Sequence, residues 1–106
     1  MDDKLTLNEV KVLSAIQFKE MYGLEIIKTV KEEANTTFYI GTLYNLLSRM
    51  EKKGYVESRW GDDEDDGRGG ARRRYYNLTG AGASVLNAQK EGLIKLWELD
   101  NPLGMA

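Results

Sequence analysis

The side chains in this sequence best placed to do chemistry lie between Thr36 and Gly54, which reads TTFYIGTLYNLLSRMEKKG. Leu43, Leu46, Leu47 and Met50 recur at helical spacing and share one face. Thr42, Asn45, Arg49 and Lys52 fall on the other side, with Tyr44 and Ser48 at its edge. Hydroxyls, an amide, a phenol and a guanidinium suit phosphates and base edges better than metal binding or bond cleavage. Asn and Arg can make bidentate bonds to adenine and guanine edges. The hydroxyls of Thr36, Thr37, Tyr39 and Tyr44 suit phosphates, which set register and carry little sequence information. Tyr44 sits beside the apolar face, so bracing the core is its competing use.

A second group of donors follows at Arg68, Arg72, Arg73 and Arg74. Strand alternation puts Arg72 and Arg74 on one face and Arg73 on the other, so the three cannot do one job. One of them has Glu57 as a candidate partner across a hairpin.

These donors must be positioned by a small domain. The 106 residues are one domain by length, and 42% hydrophobic with 30% charged residues fits a globular chain. There is no Cys and no His, which removes disulfides, thiolate zinc sites and the commonest general base. No cofactor, no metal and no enzymatic activity are expected. No apolar run reaches membrane-spanning length and MDDKLTL is not a signal peptide, so a cytoplasmic location is expected. The net charge of −2 hides a local balance: Asp62 to Asp66 are five consecutive acids, and without them 15 basic residues face 12 acidic ones. The bland reading of that run is a solvated tip; the sharper one is competition with phosphate near the arginines.

Thr6 and Glu9 form a capping box, with Leu5 and Val10 as its staple, opening a helix from about Leu7 to Lys19 that buries Val10, Leu13 and Ile16. After a break at Met21-Tyr22-Gly23, a second helix runs to Ala34 with Leu24, Ile27, Val30 and Ala34 inward. Asn35-Thr36-Thr37 is a tight polar connection to the third helix, Ile40 to Lys53, which Gly54 stops. Tyr55 to Trp60 and Arg72 to Leu78 alternate as strands, with Trp60 as a packing anchor. Thr79 caps a last helix to about Leu99, whose first turn Gly80 and Gly82 weaken. Leu86, Gln89, Leu93 and Leu96 make a near-heptad stripe on it, with Trp97 alongside. A helix of about 20 residues spans roughly 30 Å, too long for so small a core to cover, so the stripe is expected to pair with a second subunit.

The motifs Tyr22-Gly23-Leu24-Glu25-Ile26-Ile27, Gly41-Thr42-Leu43-Tyr44, Leu47 to Ser58, and Arg72 to Thr79 with Gly82 resemble the PadR family of bacterial transcriptional regulators in its short form. The resemblance covers Leu5 to about Leu99. It implies a homodimeric winged-helix repressor in which the last helices, with the first helix, form the dimer. It also makes Trp97 the candidate for binding a flat aromatic effector between those helices, against the plainer role of a dimer-core residue. Asn45 stands where the family often has Pro, Gly80-Ala81 replaces a frequent Glu-Lys, and the wing is longer than usual.

The expected fold is α+β, mainly α: three helices and a two-stranded wing over residues 1–78, then a dimerisation helix and tail over 79–106. The expected partners are an operator in double-stranded DNA and a second copy of the chain. A protein-interaction module and an aromatic-ligand sensor are the rival functions; the arginines beside a polar helix face argue against the first.

Overall fold

The computed structural model describes residues 4–61 and 72–100. The Asp62–Asp66 run and Arg68 lie outside the described residues. Among the described residues seven elements follow in order: α1 (Leu7–Ala15), β1 (Met21–Tyr22), α2 (Gly23–Ala34), α3 (Ile40–Lys52), β2 (Val56–Trp60), β3 (Arg74–Leu78) and α4 (Gly80–Asp100).

The expected capping box opens α1. The Thr6 hydroxyl accepts from the Glu9 N–H at 3.1 Å and the Glu9 carboxylate accepts from the Thr6 N–H at 2.8 Å. The helix stops at Ala15, about a turn before the expected Lys19. The chain leaves early because it must deliver Met21 and Tyr22, in extended form, to the edge of the sheet. There they pair antiparallel with Tyr76 and Tyr75, and the sheet has three strands in the order β1-β3-β2. The expected two-stranded wing therefore carries an additional short strand, at the break read before α2. The β2–β3 register pairs Ser58 with Tyr76 and Trp60 with Arg74.

In α2 the inward residues are Gly23, Ile26 and Val30, with Ile27 partly buried; Leu24 is 61% exposed and Ala34 is exposed, which corrects the expected stripe. The helix starts at Gly23 with Tyr22 as N-cap, and Ile26 faces the core while Leu24 faces out. Asn35 ends α2 in the left-handed region (φ 48°), and Gly54 adopts φ 83° after α3.

Leu43, Leu46, Leu47 and Met50 of α3 are buried as their spacing predicts, and they meet Val12, Leu13, Ile16, Ile26 and Val56. The same core includes Leu86 of α4 with no exposed surface. Leu86 was expected on the dimer stripe; it packs within its own chain, because α4 starts directly from β3 and its first turns lie on the domain. Thr79 sets that start. Its hydroxyl accepts from the Gly82 N–H at 3.0 Å and donates to the Gly54 carbonyl at 2.6 Å. Gln89 then clasps the N-terminal segment: its Oε1 accepts from the Leu5 N–H at 2.7 Å and its Nε2 donates to the Leu5 carbonyl at 2.6 Å. From Glu91 to Leu99 the helix is exposed throughout, including Leu93, Leu96 and Trp97. No described helix is long and apolar enough to cross a membrane.

Candidate nucleic-acid interface

The inward leucines of α3 fix which of its side chains face out. Thr42, Asn45 and Arg49 are all exposed, and Arg49 keeps 59% of its side chain in solvent. They line a groove of about 380 Å³ with Leu46 and, from the start of α1, Thr6 and Asn8. Arg49 leans toward that helix, with its Nη2 3.9 Å from the buried carboxylate of Glu9. At the turn before α3, Thr37 and Tyr39 are exposed, Tyr39 to 80%. Thr36 is tied down: its hydroxyl accepts from Lys11 Nζ at 2.7 Å and donates to the Ala34 carbonyl at 3.0 Å. Lys11 escaped the sequence reading because it lies on α1, 25 residues from the hydroxyl it meets.

Tyr44 braces its neighbours while keeping part of its ring in solvent. Its ring is 41% exposed, yet it lies 6.4 Å from the Tyr76 ring and against the backbone of Gly23. It forms one wall of a cleft of about 510 Å³ between α3 and the wing. Ser48 and Glu51 complete the α3 side, and Trp60, Arg72, Arg73, Arg74 and Tyr76 line the other.

The three wing arginines all line this cleft but have different partners. Arg74 points to α3, where its Nη2 stands 3.5 Å from Glu51 and its Nε donates to the Ser58 hydroxyl at 3.0 Å. Its partner is thus Glu51 on α3, and not Glu57 across the hairpin. Arg73 lies over the Tyr22 ring at 4.2 Å, and its buried Nε has no hydrogen-bond partner among the described residues. Arg72 donates from Nε to the Gly61 carbonyl at 2.9 Å and is otherwise exposed. Trp60, expected as a packing anchor, is 54% exposed, with the Arg74 guanidinium 5.5 Å from its ring centre. On the opposite sheet face, Arg59 reaches over Tyr75 at 4.9 Å to a two-pronged pair with Glu20.

Burial pushes the Tyr76 phenol above its ordinary pKa, with Arg74 opposing and Tyr44 and Glu51 reinforcing the rise. The phenol between α3 and the wing therefore stays neutral at physiological pH. Glu51 and Ser58 were missed as site residues. Both lie within the Leu47 to Ser58 motif, but no spacing rule pairs them, and they meet because β2 runs back along α3. No group of three or more metal-ligating side chains occurs among the described residues.

Helices α2 and α3 joined by a short polar turn, followed by an arginine-bearing hairpin flanking the exposed side of α3, define a winged helix-turn-helix protein. The chain belongs to the PadR-like family of transcriptional regulators, whose pattern matches residues 12–88. Its function is accordingly DNA-binding regulation of transcription. An uncharacterized protein from Lysinibacillus sphaericus is 35% identical over 88 residues, 81% of this chain and 73% of that one. A PadR family transcription regulator from Clostridium difficile R20291 has the same fold, with a TM-score of 0.76 and 32% identity over 90% of this chain and 95% of that one. A PadR family regulator from Eggerthella lenta superposes with a TM-score of 0.73 at 25% identity, covering 93% of this chain and 83% of the other.

Proposed function

We propose that the protein is a homodimeric repressor that reads a palindromic operator, each subunit placing α3 in a major groove and its β2–β3 wing along the neighbouring backbone. The observation that carries this reading is the pairing of exposed Asn45 and Arg49 on α3 with an arginine-lined cleft at the flank of the same helix. Asn45 and Arg49 read base edges. Thr37, Tyr39, Thr42 and Tyr44 hold phosphates beside them, and Arg72 and Arg74 hold the backbone at the wing. Thr36 acts by anchoring the turn, through Lys11. The second subunit covers the exposed apolar run on α4, where Leu93, Ile94, Leu96, Trp97 and Leu99 are each more than half exposed.

Selecting bound duplexes from a random pool tests this. The expected product is an inverted repeat with half-site centres about 10 base pairs apart. Affinity for it should fall steeply with salt, as counterions are released from each phosphate the protein neutralises. An unenriched pool, or binding indifferent to salt, overturns the proposal.

A further inference from the structure

The exposed side of α3 carries an acid where a phosphate-facing helix would be expected to avoid one. Glu51 Oε2 accepts from the Ser58 hydroxyl at 2.8 Å. Arg74 Nε donates to that same hydroxyl oxygen at 3.0 Å, and Arg74 Nη2 stands 3.5 Å from Glu51 Oε1. Three side chains, one each from α3, β2 and β3, thus close a ring. The ring leaves 40% of the Arg74 side chain exposed beside the cleft. Trp60 and Tyr76 flank the guanidinium, with ring centres at 5.5 and 5.8 Å.

A free arginine loses rotamer freedom when it meets a phosphate, whereas one already held on two sides loses less. A planar guanidinium that gives one edge to Ser58 and Glu51 still has donors on its other edge. Arg72, which lines the same cleft, is held more loosely, through its Nε to the Gly61 carbonyl.

We propose that Glu51, acting with Ser58, is a positioning residue that presents Arg74 to one backbone phosphate in the cleft between α3 and the wing. This rests on the DNA-reading geometry proposed above, and it inverts the simple electrostatic expectation. Removing an acid from a DNA-facing surface should tighten binding. Removing Glu51 weakens it, because Arg74 loses its fixed orientation.

The test is binding of Glu51→Gln, Arg74→Gln and the double variant to the selected duplex over a series of salt concentrations. Glu51→Gln should bind about tenfold more weakly, the scale of one charge-assisted hydrogen bond to the backbone. The slope of log affinity against log salt should become shallower by about 0.9 per subunit, the change expected when one fewer phosphate is neutralised. The double variant should bind no worse than Arg74→Gln alone. Ser58→Ala should show the same trend, and it serves as the second probe should Glu51→Gln fold poorly. Equal or tighter binding by Glu51→Gln overturns the proposal. So does weaker binding with an unchanged salt slope, which marks Glu51 as a structural residue only, and so do effects that add in the double variant. A wild-type protein that binds no duplex overturns the DNA-reading geometry as well.

Discussion

The ring of Tyr44 lies against the glycine that opens α2: a Cβ at Gly23 would stand 2.7 Å from the Tyr44 hydroxyl oxygen and 3.1 Å from Cζ. The contact joins the first residue of one helix to the exposed edge of the next, so the absence of a side chain at Gly23 sets where the phenol sits. Gly23→Ala should displace Tyr44 outward. The stability change should stay within about 1 kcal/mol, since the gain in helix propensity offsets the crowding and the phenol can swing. Affinity for the operator should fall several-fold, and much less so in a Tyr44→Phe background. Thermal melts together with binding isotherms of the four proteins check this.

Gly82 is the opposite case. A Cβ there would overlap the Tyr55 carbonyl oxygen and stand 2.7 Å from Leu78 Cδ1. That carbonyl cannot retreat freely, because it also accepts from the Thr79 N–H at 3.0 Å. Gly82→Ala should destabilise the fold by about 1–3 kcal/mol through overpacking, read as a lowered urea midpoint. Gly80→Ala, with nothing near its added Cβ, should be neutral or stabilising.

Leu86 and Leu93 lie one heptad apart and should fail in different ways. Leu86 is fully buried in its own chain, so Leu86→Ala should cost about 2–5 kcal/mol of stability. Leu93 is 52% exposed, so Leu93→Glu should leave the fold intact and shift the chain toward monomer. Sedimentation velocity over a concentration series distinguishes the two. A Leu93→Glu protein that sediments like the parent would show that the second copy docks elsewhere.

The Tyr76 phenol has its pKa raised above the ordinary value of about 10 by burial. The folded state then holds the phenol proton more tightly than the unfolded state does. Its contribution to stability is fully present below the unfolded pKa and is lost as pH rises through the folded one. The parent should lose stability in alkali faster than Tyr76→Phe does. Urea midpoints measured from neutral pH upward give the comparison.

The helices carrying the site were legible because their signals are local. The Thr6–Glu9 capping box, the glycine after α3 and the four buried residues of α3 each depend on neighbours within a few positions. What could not be read was set by packing between residues distant in sequence. Helix α1 ends early because a strand about 50 residues later needs Met21 and Tyr22 as a neighbour. Gly23 joins the inward face of α2 because the Tyr44 ring of α3 lies against it. Arg74 pairs with Glu51 because β2 runs back along α3, and no spacing rule links those two positions.

The sequence by itself therefore determined the order of the helices and the β2–β3 hairpin, the buried face of α3 and the polar character of its exposed face, but not the edge strand β1. Helical and strand periodicities are dictated by backbone geometry and survive any packing. Only the tertiary structure decided which polar groups stay available. It tied Thr36 to Lys11, laid Arg73 on Tyr22, and took Leu86 and Gln89 of the α4 stripe into the chain's own fold. The physical reason is that a side chain's availability depends on what packs within a few ångströms of it, and in this fold those neighbours come from elements dozens of residues away.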